Sequence, residues 1–452
     1  MQNSRIDIEE PSRRTPVIHE ADVCVLGGSC TGLFAAVRAA RLGAKVVLVE
    51  RQNCFGGVAT LSLVNIWHSL LDTNFEEQII GGLTAEVIER LDQRGAGEHR
   101  PNNPNAGYIF NPEDLKITLD ELAVESGIKL YLHTLFVAPW VEDGQLAGVL
   151  VENKSGRGLI RARQFVDATG DGDLVHRLGL DSHVSPLPQP STTCAKFGNW
   201  AKPDGAALGK LVAEFREEFH LPHGFVWGCN VPDSALYMIA GTRVPGMDPT
   251  DADSLTAGEI EGRRQVGVLK KLIRKLPGGE NVTLETLPAR IGLRESRHIH
   301  SHHRLTTDEV LHGVSFPDVI AKGSYRVDIH HIDKPGITLR YLDGREEYSC
   351  PGQPKQYSRW REETETNPTH YQIPYRSLVP KGPYPNLIAA GRMIDTEPGA
   401  HAAVRVMVNM NQTGEAAGVA CTLALQDNTP LNKLDPMKLR QTLSEGGSLL
   451  KK

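Results

Sequence analysis

From Ala21 to Glu50 the chain reads ADVCVLGGSCTGLFAAVRAARLGAKVVLVE. Ala21–Leu26 is a short apolar run that stops at two glycines, the pattern of a buried parallel strand. Beyond the turn, Leu33, Ala36, Val37 and Ala40 recur at helical spacing, and Gly43 suits the stop. Lys45–Glu50 is a second apolar run. Strand, glycine turn, helix and strand in about thirty residues make one βαβ unit. Its turn is Gly27-Gly28-Ser29-Cys30-Thr31-Gly32. In a dinucleotide fingerprint the first glycine permits the tight turn and the second lets the backbone approach a pyrophosphate. The third lets the helix pack close to the strand. Ser29 takes the second place here; it is small and can form a hydrogen bond. The helix start adds free N–H groups and a favourable dipole for phosphate. Alone, these six residues suit a ligand-free glycine turn as well.

The flanks narrow the choice. Glu50 ends the second strand, where an acid can accept from ribose hydroxyls and would repel the 2′-phosphate of NADP. By position alone it also suits a solvated strand end. Arg51-Gln52-Asn53-Cys54-Phe55-Gly56-Gly57-Val58-Ala59-Thr60 follows. Gly56 and Gly57 let the chain run flat against a ligand. A plain NAD unit has no special need of that, whereas an extended FAD passes over this loop.

The rest of the chain sets bounds. With 452 residues, two or three domains are expected. The net charge of −6 without a basic stripe gives no reason to expect nucleic acid. The seven scattered cysteines form no C-x-x-C, which argues for a reducing compartment and against a dithiol or structural zinc site. Arg13-Arg14 is followed by Pro16, His19, Glu20 and Asp22 instead of an apolar segment, so no signal peptide is expected. No apolar run is long enough to span a bilayer. A soluble, cytoplasmic protein without a membrane partner is expected.

Local patterns then place the elements. Residues 1–16 read as a polar arm. An amphipathic helix is predicted over Phe75–Leu91, interrupted near its start by Gly81-Gly82. Asn111 and Pro112 are a helix cap and first position. KLYLHTLFV, ending at Val137, reads as a strand. WVEDGQLAGVLVEN and GLIRARQFVDATG read as antiparallel strands, with the tight turn at Asp143-Gly144. Residues from about 185 to 367 are richer in Pro, His, Trp and charge and lack the βαβ rhythm. PNLIAAGR and AAVRVMVNMNQTGEAAGVACTLAL return to strand and long helix.

Four ordered blocks carry a resemblance. They are residues 22–60, then VENKSGRGLIRARQFVDATGDGDL with Ala168-Thr169-Gly170, then PARIGLRESRHI with LTTDEV and YRVDIHH. The fourth runs from YQIPYRSLVPKG through Gly391-Arg392 to MNQTGEAAGVA. The chain resembles the FAD-dependent oxidoreductase family of the glutathione-reductase-like flavoprotein class, in particular its bacterial branch. The resemblance implies non-covalent FAD held by Gly27, Gly28, Ser29, Cys30, Thr31, Gly32, Glu50, Arg51, Gly56, Gly57, Val58, Ala59, Val137, Ala168, Thr169, Gly170, Gly391 and Arg392. It places the Ala168-Thr169-Gly170 turn under the FAD and Gly391-Arg392 at the ribityl chain. The acid usual after that glycine is replaced by Arg392, which can only donate. The ribityl contact then falls to its backbone or to Asp395. No cysteine or histidine is placed for a covalent flavin link.

The flavin supplies the redox centre, so the protein has to bind, orient and move a proton. His401 and Arg405 are four apart and face the same way if helical. Their HxxxR spacing resembles that of fumarate and succinate dehydrogenase flavoproteins, in which the arginine grips a carboxylate. Pairing of Arg405 with a structural acid is the plainer reading. Arg294-Glu295-Ser296-Arg297 offers guanidinium groups to an anion or to an internal salt-bridge cluster. Asp328 and His330 share one strand face, so His330 is a candidate proton carrier oriented by Asp328. His298, His300, His302 and His303 suggest metal by alternation. No accompanying ligand spacing supports it, and no metal is expected. Trp67 and His68 are candidates for the flavin's other side, Trp67 more simply for core.

The expected architecture is α/β. A Rossmann-type FAD-binding domain, a parallel sheet with an antiparallel meander, comprises residues 17–185 and 370–452. A mixed or antiparallel substrate domain, 186–369, is inserted. The expected function is hydride transfer between flavin N5 and a small polar substrate, anionic or hydroxyl-rich, with an unknown electron acceptor. A homo-oligomer is compatible with the sequence. The rivals are a flavin-free NAD-dependent dehydrogenase and a flavin-binding protein without redox turnover. A disulfide reductase is disfavoured by the missing cysteine pair.

Overall fold

In the computed structural model, residues 8–450 are described. Of the polar arm, residues 1–7 lie outside them, and 8–16 form neither helix nor strand. The strand Val17–Leu26 sits at the centre of the largest sheet. Val46–Val49 and then Lys129–Tyr131 lie parallel on one side of it. Gly156–Asp167 lies parallel on the other. Gly156–Asp167 serves two neighbours on its far edge. Its last residues pair in parallel with Leu387–Ala389, while its first half pairs antiparallel with Gln145–Asn153. That second strand turns back through Asp143 (φ 49°) and Gly144 (φ 77°) onto Leu135–Glu142. A five-stranded parallel sheet and an antiparallel meander thus share one long strand, as expected for a Rossmann-type fold.

The first helix, Cys30–Arg41, is capped by Ser29, whose hydroxyl accepts from the Gly32 N–H at 3.4 Å. It packs against the helix Met407–Gln426 with the backbones in contact. A Cβ on Gly414 would stand 1.9 Å from the Thr31 carbonyl oxygen, and one on Gly418 2.1 Å from that of Ala35. A buried ion pair, Arg38 with Glu415, closes the same seam. This late helix therefore packs on the βαβ unit begun by the N-terminal strand.

Three sequence expectations change. The helix predicted from Phe75 begins at Gly82. Upstream, Phe75 has φ 60° and the Asp72 carboxylate accepts the N–H groups of Glu76 and Glu77, a local turn that competes with helix. The strand through Val137 is two strands, broken at His133 (φ 49°). The long helix from Ala402 is split: Pro398–Val404 ends at Arg405, and Val406 is extended before Met407 begins the next helix.

The inserted stretch makes separate sheets. Trp227–Asn230, Tyr237–Ala240, Cys194–Gly198 and Thr283–Thr286 form one antiparallel sheet, covered by the helices Gly205–Glu214 and Ala252–Ile273 around their own apolar core. Val327–His330, Ile337–Arg340, Arg345–Ser349 and Gln356–Arg359 form another. Leu305, Val310, Val319 and Tyr325 instead belong to the main core. The chain therefore rejoins the main core well before residue 370.

Candidate active site

Two linked cavities run between the parallel sheet and the inserted strands. The outer cleft is lined by Gly27, Ser29, Glu50, Arg51, Gly57, Val58, Ala168, Thr169, Gly170, Arg290 and Arg392. Ser29, Val58, Ala168, Gly170, Leu293 and Arg392 also border the inner cavity of about 600 Å³, so the two form one elongated space. Cys30, Thr31, Gly56 and Gly391 line its inner part with Met407, Met410 and Asn411. The start of the helix Met407–Gln426 therefore faces this space, as does that of Cys30–Arg41.

The outer cleft is held by two acids. Glu50 accepts from the Gly28 N–H (2.6 Å) and the Gln52 N–H (2.8 Å), which ties the second strand to the glycine turn. Asp171 faces three guanidinium groups: Arg392, Arg290 at 3.0 Å and Arg51 at 3.8 Å. Burial alone would raise its pKa. Arg392, Arg290 and Arg51 outweigh burial and hold the carboxyl far below the usual range. Arg51, Arg290 and Arg392 thus gather around Asp171, with Glu50 and Asp173 on the same cleft. Asp167, beneath the Ala168-Thr169-Gly170 turn, accepts from the Thr169 N–H and hydroxyl and from the N–H groups of Leu174 and Val175. Burial raises its pKa to about 6 despite those bonds.

The inner cavity has a second cationic wall. Arg243, Arg294, Arg326 and Arg405 line it with Asp328, His330, Tyr325 and His68. One oxygen of Asp328, Oδ2, receives Tyr325 Oη (2.8 Å), Arg405 Nη2 (3.4 Å) and the ring Nε2 of His330 (3.2 Å). Its Oδ1, the Nδ1 of His330 and the Nε atoms of Arg326 and Arg405 are buried without a partner. Burial, then the nearby Arg243 and Arg405, pushes the Arg294 pKa well down. Burial alone would raise Asp328, but His330, Arg405 and Arg326 hold it well below its usual range. Burial lowers His330 to about 3, with Arg294 and Arg243 adding to the effect against the pull of Asp328. Neutral His330 that donates through Nε2 to Asp328 presents Nδ1 as a free acceptor. Apolar residues line the same cavity: Phe225, Val226, Trp227, Cys194 and Cys229.

The family model for FAD dependent oxidoreductases matches residues 22–443. The chain belongs to the FAD-dependent oxidoreductase family. It is an oxidoreductase with FAD as cofactor. Among relatives, digeranylgeranylglycerophospholipid reductase of Methanosarcina acetivorans is 25% identical over 46% of this chain and 50% of its own length. Thiamine thiazole synthase of Aeropyrum pernix is 26% identical over 53% of this chain and 81% of its own length. The match thus spans about half the length of the first of these curated relatives. A solved geranylgeranyl bacteriochlorophyll reductase-like protein from Thermoplasma acidophilum covers 96% of this chain and is itself covered to 83%, at 14% identity and TM-score 0.44.

Within this FAD-dependent oxidoreductase, the residues singled out from sequence separate. Gly28 and Gly32 pack behind the cleft, and Ala59 is core. Val137 lies in an irregular step of its strand between Phe136 and Ala138 and is not on the wall; Leu135 and Phe136 are. Asp395 turns away, its carboxylate accepting from the Ser301 N–H at 2.9 Å. Arg294, Arg405 and His330 meet in the inner cavity, but His401 does not line it. Its Nε2 faces the Arg294 carbonyl oxygen at 3.0 Å and its ring packs edge-on against His298 at 4.7 Å. Arg297 bridges to Asp173 at 3.3 Å, an internal ion pair, one of the two roles considered for this stretch. The four histidines diverge. His298 is buried and His300 packs on His183, while His303 reaches Glu309 and the His302 N–H bonds the Val379 carbonyl. His68 lines the inner cavity and Trp67 is core.

Arg243, Arg290, Arg326, Asp167 and Asp171 were not singled out as site residues. The doubled acid in Asp171-Gly172-Asp173 was the available signal for Asp171. The other arginines sit in no local pattern.

These pKa shifts predict acid sensitivity. Burial, with Arg326 and Arg405, lowers His68 to about 3, as His330 is lowered. A depressed folded pKa favours the neutral form, so each histidine's contribution is complete above about pH 6.5. It is lost as pH falls toward 3, by ~1.4 kcal/mol per pH unit. Asp167, raised, acts in the opposite sense below pH 6. Urea midpoints from pH 6.5 to 4.5 should fall, and His68→Asn should flatten that fall by ~1.4 kcal/mol per unit. Parallel curves for the two proteins would show that His68 is not held neutral.

Proposed function

We propose that this enzyme transfers hydride between flavin N5 and a small anionic substrate in the inner cavity. The observation that carries the reading is the wall of Arg243, Arg294, Arg326 and Arg405, the first buried and the others partly buried, with Asp328 the one carboxylate among the cavity's lining residues and the whole continuous with the dinucleotide cleft.

The cleft suits FAD. The glycine turn and first helix start, with Arg51, Arg290 and Arg392 close by, suit its pyrophosphate. Glu50, whose oxygens already accept two N–H bonds, keeps further lone pairs for ribose hydroxyls. Gly391 and the start of Met407–Gln426 suit the ribityl and flavin end. With Arg392 committed to Asp171, its backbone is the part left for the ribityl chain. Bound FAD supplies the hydride-accepting or hydride-donating centre.

The chain's own residues do the rest. Arg405, Arg294 and Arg243 hold a carboxylate, with burial strengthening each charge-assisted bond. In dehydrogenation of a hydroxy acid, the substrate C–H leaves as hydride and the hydroxyl proton passes to His330 Nδ1. Asp328, fixed by Tyr325, keeps His330 in that tautomer. In reduction of an enoate, neutral His330 carries no Nδ1 proton of its own, so the proton comes from water and passes to the substrate carbon through that nitrogen. An electron acceptor or donor outside the chain completes the cycle. The seven buried free thiols support a reducing, cytoplasmic setting. Among the described residues no helix is long and apolar enough to cross a membrane.

Anaerobic mixing tests the reading. The yellow holoprotein should be bleached by a 2-hydroxy acid, or its photoreduced form reoxidised by an enoate. Either should be at least ~30-fold faster than with the matching uncharged amide, the rate equivalent of ~2 kcal/mol from the arginine contacts. Reaction with uncharged polyols and not with acids would overturn it. The apolar wall of Phe225, Val226 and Trp227 favours a second reading, reduction of an anionic isoprenoid lipid, the class named in the archaeal reductases. Reoxidation by geranylgeranyl diphosphate and not by small enoates would select it.

A further inference from the structure

Behind Arg294, outside the lining of the two linked cavities, three buried side chains converge: Glu295, His298 and His401. One ligand atom from each lies within 4.8 Å of the others. We propose that these three residues bind one divalent transition-metal cation of the zinc or ferrous class. The proposal concerns a site separate from the flavin and substrate and does not depend on the function proposed above.

The hydrogen bonds around the cluster orient it. His298 points Nδ1 at the Ile394 carbonyl oxygen (3.1 Å), with the Thr396 hydroxyl a longer contact at 3.4 Å. His401 points Nε2 at the Arg294 carbonyl oxygen (3.0 Å). Each ring therefore donates outward to a backbone carbonyl, the arrangement that fixes metal-binding imidazoles. Glu295 accepts the Gln189 N–H on Oε2 at 2.9 Å. The inward atoms are then His298 Nε2, His401 Nδ1 and Glu295 Oε1.

All three inward atoms are acceptors. His298 Nε2 and Glu295 Oε1 stand 3.2 Å apart, and His401 Nδ1 is buried with no hydrogen-bond partner among the described residues. Lone pairs aimed at one another in a buried place need a cation between them. A single proton on His298 would serve the 3.2 Å contact and leave His401 Nδ1 empty, whereas a metal ion serves all three. Two imidazoles and one carboxylate form a donor set for zinc or ferrous iron. Bonds of about 2.0–2.2 Å put donors roughly 3.3 Å apart, so closure on the ion requires a contraction of about 1.5 Å at most. The ion would join the segment carrying Arg294 to the short helix that ends at Arg405.

Zinc loading of the flavin-bound protein tests this. After dialysis against chelator, addition of Zn²⁺ should restore about one equivalent per chain by elemental analysis and raise the Tm. Co²⁺ should give a ligand-field band beyond the flavin absorption. Glu295→Gln and His298→Asn should weaken binding at least ~100-fold while retaining flavin, and His303→Asn should bind as wild type. If either variant loses flavin, X-ray absorption of the zinc-loaded wild type replaces it: two imidazole nitrogens at about 2.0 Å support the site. No saturable zinc binding, binding unchanged in both variants, or a spectrum without imidazole would overturn the proposal.

Discussion

Gly32→Val is expected to purify without flavin. A Cβ at position 32 would stand 1.9 Å from the Gly27 carbonyl oxygen and 3.0 Å from the Ala168 side chain. Neither neighbour can give way. Gly27 is itself in a left-handed conformation (φ 98°), with its own Cα facing the Ala168 carbonyl. The helix Cys30–Arg41 would have to lift off the turn, and its first N–H groups would no longer point into the cleft. Its other face cannot retreat, because Gly414 and Gly418 already bring the last long helix into backbone contact there. Overpacking of this kind costs ~3 kcal/mol or more, which corresponds to at least ~100-fold weaker retention of FAD. The ratio of flavin to protein absorbance reads the first effect and the Tm the second. Gly267→Ala is the contrasting substitution. It lies in the helix Ala252–Ile273 with nothing within 4 Å of the new carbon, so flavin content should be unchanged and the Tm equal or slightly higher. A Gly32→Val protein that kept its flavin at the wild-type Tm would show that this close contact does not hold the cleft.

Arg405→Met is expected to remove anion binding while leaving stability nearly unchanged. The guanidinium reaches one protein acceptor, Asp328, at 3.4 Å, and its Nε has none. Asp328 keeps Tyr325 and His330 without it. The fold thus depends little on this charge, whereas a bound carboxylate depends on it strongly. Truncating one partner of a buried charge pair costs ~2–5 kcal/mol, a fall of roughly 30- to 3,000-fold in affinity. Perturbation of the flavin spectrum by oxalate or benzoate reads the affinity, and thermal melting reads the stability. Arg405→Lys should recover only part of the loss, since an ammonium cannot reproduce the two-pronged contact. Wild-type anion affinity in Arg405→Met would place the substrate's charge elsewhere.

What could be read in advance follows the range of the interactions. The βαβ unit and the Asp143-Gly144 hairpin are written in apolar periodicity and turn residues a few positions apart, and the structure has them where the pattern lies. Helix ends were less legible. Asp72 opposes helix upstream of Gly82 through its own side chain, and the break at Val406 carries no proline or glycine to announce it. His401 and Arg405 do stand one helical turn apart, the Arg405 N–H bonding the His401 carbonyl at 3.0 Å, yet only Arg405 reaches the inner cavity. The two arginine walls were the least visible. Asp171 gathers Arg51, Arg290 and Arg392 from three distant stretches, and Asp328 lies among Arg243, Arg294 and Arg405 in the same way. The Glu295-x-x-His298 spacing was present in the sequence, but its third member stands about a hundred residues on.

The seam between the first and last long helices also bears on how the protein is made. Arg38 and Glu415 are 377 residues apart, and the strand Leu387–Ala389 and the helix start at Met407 come equally late. At ribosomal rates of about 5–20 residues per second, roughly 20–75 s pass between the two sides of that ion pair. Throughout that interval the nascent glycine turn has no completed cleft behind it. Cofactor capture is therefore expected only once the helix Met407–Gln426 has been made, and a nascent chain stalled before Met407 should carry no flavin.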